Sequence, residues 1–301
     1  MAGSLVVSRT PFVSRAALPL DASGVVRVGK RRLAFINNRD PHALYEFSLK
    51  ADGTQRRPVS RRPLRGLPDG SLTDPEGLAQ IETDGLRQLV VASSLSARPG
   101  RFPTRDGLVR IRYTPEGELR GEAMTGFRRW LLSRYPSLAA AAQQLPDRGG
   151  LNIEGLAWDP VRCDLLLGVR SPTRDGQASV IRIHLDLAAP WTVAALQAGP
   201  ITHIRSGTVP AQGVRDISYD TARGEFLVVL GRSAGGDRVP FELCTWSGNG
   251  AAAEVLRVEF ESSMKPEGVA VFDIDGLRRV VIVDDAGGFA TFRATDVPGW
   301  D

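Results

Sequence analysis

Three segments of the 301-residue chain carry an acid in one recurring setting: Asp74-Pro75-Glu76-Gly77-Leu78-Ala79, Asn152-Ile153-Glu154-Gly155-Leu156-Ala157 and Lys265-Pro266-Glu267-Gly268-Val269-Ala270. Two degenerate copies, Asp21-Ala22-Ser23-Gly24-Val25-Val26 and Val214-Arg215-Asp216-Ile217-Ser218-Tyr219, complete the set. Aligned on the acid, they place Ser23, Glu76, Glu154, Asp216 and Glu267 at one repeated position. Carboxylates gathered on a common axis cannot all stay ionised and unpaired, because like charges and burial both penalise the charged form. The residue types offer three solutions. A hard divalent cation such as Ca²⁺, which takes about 6–8 oxygen ligands, would be held by Glu76, Glu154, Asp216 and Glu267. A closed salt-bridge network would run through Arg215, adjacent to Asp216, and Lys265, two residues before Glu267. In a purely structural role, each acid would accept backbone N–H groups at a strand start.

The elements that must position these acids follow from the stretches after each copy. Leu33-Ala34-Phe35-Ile36, Leu89-Val90-Val91-Ala92, Leu165-Leu166-Leu167-Gly168, Leu227-Val228-Val229-Leu230 and Val280-Val281-Ile282-Val283 are strand-length and apolar throughout, as expected of strands covered on both faces. Alternating strands such as Val180-Ile181-Arg182-Ile183-His184-Leu185 come next. Units of three or four strands recurring roughly every 50 to 60 residues are the signature of a β-propeller. The expectation is an all-β, single-domain propeller over residues 1–301 with five blades, six being the alternative count. Pro11 to Leu18 would supply the outer strand that closes the ring. The long interval between Glu76 and Glu154 holds a helical pattern broken at Pro136, predicting a helical hairpin or lid at residues 125–145, between the second and third blades.

In a propeller the second strand returns to the end where the first began. The residues just after the second strands, Asn38, Ser94, Arg170, Arg232 and Asp285, lie 15 to 18 positions after the aligned acids or Ser23, so both sets should meet at one mouth of the tunnel. Arg170 and Arg232 could clamp an anionic ligand, and Asp285 is a candidate base. The competing reading pairs these arginines with acids of neighbouring blades.

With 38 basic and 34 acidic residues the chain carries +4, at 42% hydrophobic content and a pI near 9.4. The excess is arginine. Arg56-Arg57, Arg61-Arg62 and Arg128-Arg129 are short clusters that read as solvated charges, so nucleic acid is disfavoured as a partner. There is no apolar run long enough to span a membrane and no secretory pattern at the start; the expected location is cytoplasmic. Cys163 and Cys244 have neither zinc nor disulfide spacing and are expected as buried thiols in strands. A nucleophile elbow, a Walker loop and a His-Glu-x-x-His pair are all missing from the sequence.

Gly150 to Ala157 with Leu167 to Pro172, Gly213 to Ile217, and Lys265 to Ala270 with Asp284-Asp285 resemble an uncharacterised bacterial propeller family, a domain of unknown function, across residues 21 to 295. Asp74-Pro75-Glu76-Gly77 is more distantly similar to the opening motif of esterase-like and phytase-like propellers. That likeness implies calcium and phosphate-ester chemistry. The resulting expectation is a calcium-dependent hydrolase of a small anionic ester, with metal ligands Glu76, Glu154, Asp216 and Glu267, an anion clamp of Arg170 and Arg232, and Asp285 as base. The alternative is a non-catalytic scaffold that presents the same mouth to a protein or small ligand.

Overall fold

A computed structural model describes residues 3–15, 19–83, 85–98, 106–205, 212–234 and 239–300. The runs that are apolar on both faces form the second strands of five radially arranged blades, of which the first two are joined into one eight-stranded sheet by the parallel pairing of Leu64 with Leu119 and Arg65 with Arg120. Blade I comprises Ala22–Arg27, Arg32–Asn37, Ala43–Leu49 and Gln55–Arg65. Blade II comprises Pro75–Thr83, Leu86–Ser93, Leu108–Arg112 and Leu119–Ala123. Blade III follows with Asn152–Asp159, Asp164–Arg174, Gln177–Leu185 and Leu196–Ile204, and blade IV with Gln212–Asp220, Glu225–Arg232, Glu242–Trp246 and Glu254–Val255. Blade V has Pro266–Ile274, Leu277–Asp284 and Gly288–Arg293.

Each innermost strand packs on that of the next blade, and blade V packs back on blade I. The apolar core accordingly divides into five wedges, one per blade interface. Phe35 and Tyr45 of blade I meet Phe272 and Phe289 of blade V in one of them, and Val214 and Phe226 of blade IV meet Leu166 and Val180 of blade III in another. Five interfaces joining five innermost strands give a blade count of five. Burial on both faces also explains why the second strands show no alternation.

The ring is closed by the N-terminal segment, although earlier than the sequence suggested. Thr10–Pro11 pairs with Gly288–Arg293, and Leu5–Val7 runs parallel to Val258–Phe260 of the chain between blades IV and V. Val13 already belongs to blade I, where its carbonyl accepts the Val59 N–H. Residues 16–18, the end of the predicted closing segment, lie outside the described residues.

The helical interval forms α1 (Phe127–Arg134) and α2 (Pro136–Ala141), which meet at Tyr135. Phe127, Leu131, Tyr135 and Leu138 are buried in the wedge between blades II and III, and the Tyr135 hydroxyl donates to the carbonyls of Arg182 and Gly199 at 3.1 and 3.0 Å. The insertion is therefore a wedge filler and not a lid. Cys163 departs from expectation too: it sits half-buried in the turn between the first two strands of blade III at φ +56°, while Cys244 is a buried strand thiol.

Candidate functional site: a ring of ionisable residues at one tunnel mouth

Each innermost strand enters the tunnel through a β-bulge, which gives the strand one extra residue and re-aims a side chain. In blades II, III and V the bulged residue is Glu76, Glu154 and Glu267, flanked by the register shifts Pro75/Gly77, Ile153/Gly155 and Pro266/Gly268. The following glycine touches the next blade. A Cβ on Gly77 would lie 2.6 Å from that of Leu156, and one on Gly24 would lie 2.7 Å from the Leu78 nitrogen. Gly24 thus corresponds to Gly77, and Ser23 holds the acid's place in blade I.

Blade IV corrects the sequence alignment by one residue. Its register shift falls between Val214 and Asp216, so Arg215 is the bulged residue and Asp216 stands where the other blades have glycine. The Asp216 carboxylate leaves the tunnel axis and accepts the Val269 N–H of blade V at 2.7 Å. Burial pushes this carboxyl well above the usual range, against the opposing N–H groups of Val269, Ile217 and Leu156. The true ring is Ser23, Glu76, Glu154, Arg215 and Glu267.

Its charges are arranged unequally. Arg215 forks onto Glu267, Nε to Oε2 at 2.9 Å and Nη2 to Oε1, and its Nε also lies 3.0 Å from Glu154 Oε2. Burial works against the guanidinium charge, but Glu154 and Glu267 overcome that and hold it protonated. Arg170 Nη1 meets Glu154 Oε1 at 2.7 Å, and Asn152 Nδ2 donates to the same oxygen at 3.0 Å. On the other side of the ring, Glu76 receives only neutral donors: Ser23 Oγ to Oε2 and Asn38 Nδ2 to Oε1, both at 3.0 Å. Burial, then the charges of Glu154, Asp74 and Glu267, push the Glu76 carboxyl well above its ordinary range, and the Ser23 hydrogen bond opposes them only partly. Burial, with the charges of Glu154 and Asp285, pushes Glu267 up to about 8 even though Arg215 opposes the rise through a fork with one N–H on each oxygen.

Of the outer positions, Asn38 and Arg170 reach the ring. Ser94 instead donates to Asp74 at 2.7 Å. Arg232 contributes its carbonyl, which accepts Arg170 Nε at 3.2 Å. Asp285 stands at the mouth with its side chain 34% exposed and Lys265 Nζ 3.9 Å away. Burial and Asp21 raise its carboxyl, while Lys265 and Arg215 pull it down. Asn152, two residues before Glu154, is a participant that reading for acids alone passes over.

A Ca²⁺ centre needs several oxygens free to face one point. Glu154 and Glu267 are occupied by Arg215 and Arg170, Asp216 is turned onto backbone N–H groups, and Glu76 stands alone. These residues do not fit a calcium site, and among the described residues no group of three or more His, Cys, Asp or Glu could hold a metal ion. The arrangement is the salt-bridge network, closed over blades III to V and left open at blades I and II.

Sequence comparison with family models and with curated proteins found no match. Among solved structures the chain is similar to an exo-β-1,3-galactanase from Phanerochaete chrysosporium, determined with β-1,3-galactotriose, at TM-score 0.51 and 10% identity over 96% of this chain and 64% of that one. It is also similar to the catalytic domain of a GH62 α-L-arabinofuranosidase from Coprinopsis cinerea, at TM-score 0.51 and 11% identity over 99% of both chains. At such identities the likeness is one of fold: the protein is a β-propeller of this architecture. The chain spans just under two thirds of the galactanase.

Proposed function

We propose that the protein is a hydrolase acting at the acidic mouth, with Glu76 as proton donor and a glycosidic bond as the target. The observation that carries this reading is the split within one ring. Glu76 is the carboxyl left without a cation and is pushed toward its protonated form, while Asp285 at the same mouth is half-exposed and has Lys265 nearby. A buried carboxyl raised toward its acid form and a second, more exposed carboxyl at the same mouth are the pair that acid–base cleavage of an acetal calls for. Similarity in fold to a galactanase and an arabinofuranosidase supports a glycoside as the substrate class. A phosphate ester is less well served, because Arg170 is committed to Glu154 and Arg215 to Glu154 and Glu267.

The test is turnover of nitrophenyl arabinosides and galactosides across pH, with and without calcium and EDTA. The expected result is EDTA-insensitive activity that declines as pH rises through the Glu76 pKa, and a loss of about 10²–10⁴-fold in Glu76→Gln. Activity that requires calcium, or that survives Glu76→Gln, contradicts the reading. Glycan binding with no turnover would favour the scaffold function instead.

A further inference from the structure

At the end of the propeller opposite the ionisable ring, a groove of about 940 Å³ opens beside the turn between the first two strands of blade I. Lys30, Arg31 and Arg32 come from that turn, Arg56, Arg57 and Arg62 from the outermost strand of the same blade, and Arg87 from blade II. Among the described residues Glu46 is the one acid in the lining, and it is already engaged: Arg62 Nη1 lies 2.7 Å from it and the Tyr113 hydroxyl 3.0 Å. Asp275 answers Lys30 and Arg31 at the rim, and Glu82 answers Arg87 at 3.3 Å. Arg56 and Arg57 are exposed and meet no acid among the described residues. In the sequence these cations form short, scattered runs; the fold gathers them on one surface.

We propose that this groove binds a linear acidic polysaccharide, whose carboxylate or sulfate groups are taken by Arg56, Arg57 and the Lys30–Arg32 turn. Arginine forks match planar carboxylate and tetrahedral oxyanions bidentately. The Ser48 and Ser60 side chains in the lining offer hydroxyls for sugar hydroxyls between the charges. Single-stranded nucleic acid is a poorer match, because such sites stack bases on aromatic rings and the aromatic in the lining, Phe47, is only 2% exposed. A duplex, roughly 20 Å across, does not enter a groove of this volume. The site is independent of the chemistry at the acidic mouth.

The experiment measures binding of oligogalacturonate and of a sulfated oligosaccharide at about 50 and 200 mM salt, beside neutral dextran, oligo-dT and inorganic polyphosphate. Binding of the acidic glycans that weakens steeply with salt, with no binding of dextran, is expected. Arg56→Glu/Arg57→Glu should weaken it at least about tenfold, since this reverses two charges at the contact. Arg129→Glu/Arg134→Glu, an equal change of net charge on exposed positions of α1, should leave it within about twofold, and matched thermal melts check that both variants are folded. The proposal is overturned if no acidic glycan binds at low salt, if both variants lose binding equally, or if oligo-dT or polyphosphate binds more tightly.

Discussion

The two sides of the ring at the tunnel mouth bury their carboxyls alike yet give them different partners. Between blades III, IV and V, Arg215 bridges Glu154 and Glu267; between blades I and II, Ser23 and Asn38 offer Glu76 only neutral hydrogen bonds. Backbone geometry and burial hardly differ: Glu76, Glu154 and Glu267 are 8, 2 and 6% exposed. The difference comes from arginine at the repeated position of blade IV against serine in blade I, with Arg170 adding a second cation at Glu154. A propeller can therefore repeat a scaffold five times and still give its buried carboxyls different electrostatic surroundings, because the desolvation cost common to all sites is opposed only where a cation sits beside the ring.

The hardest break of this contrast is Arg215→Met. Removing one partner of a buried ionic network leaves Glu154 and Glu267 uncompensated, and unfolding in urea should show a loss of about 3–5 kcal/mol at neutral pH. The loss should shrink in acid and should be partly recovered in Arg215→Met/Glu267→Gln. A neutral effect would mean that the bridged side is not held by Arg215.

Asp216→Ala comes next. It leaves the Val269 N–H without its acceptor in a dry interface, an expected cost of about 1–3 kcal/mol, readable in the same unfolding experiment. If Asp216 instead served the tunnel axis, the change would alter ligand or metal binding and spare the fold.

Glu76→Gln sharpens the other side through pH. Folded Glu76 keeps its proton while the unfolded chain releases its own above about pH 4.3. The unfolded state then binds fewer protons, so this group lowers stability as pH rises from there to the folded pKa, by up to about 1.4 kcal/mol per pH unit. Stability of Glu76→Gln relative to wild type should rise across that window and level off below about pH 4. Parallel stability curves would contradict the assignment. The smallest expected effect is that of Ser23→Ala, about 1 kcal/mol for one hydrogen bond, with Glu76 pushed further up because its one opposing hydroxyl is gone.

The blades were legible in the sequence because Pro75-Glu76-Gly77 and Pro266-Glu267-Gly268 keep both the bulge residue and the glycine that lets neighbouring strands approach. Blade IV was misread because both markers changed together: Arg215 replaced the acid, Asp216 replaced the glycine, and matching acid to acid slid the register by one. Bulges leave no sequence period, so hydrophobic patterning could not correct the slip. The placement of Asn38 and Arg170 at the ring was readable from strand length alone. Whether an arginine there meets a ligand or a carboxylate depends on contacts between blades, which spacing along the chain does not encode. The cationic groove was hidden for the same reason, since Lys30, Arg57 and Arg87 are neighbours only once the blades are assembled.

The central claim, that Glu76 is held above the ordinary glutamate range by burial and neighbouring carboxylates with no cation against it, while Arg215 opposes the rise at Glu267, is tested most directly by NMR titration of the ¹³C-labelled glutamate side-chain carboxyls, with Glu76→Gln and Glu267→Gln supplying assignments. The account predicts a glutamate carboxyl carbon that titrates well above the ordinary midpoint of about 4.3, absent from Glu76→Gln and retained in Glu267→Gln. An ordinary midpoint for every glutamate, or a raised midpoint that is lost only in Glu267→Gln, would contradict it.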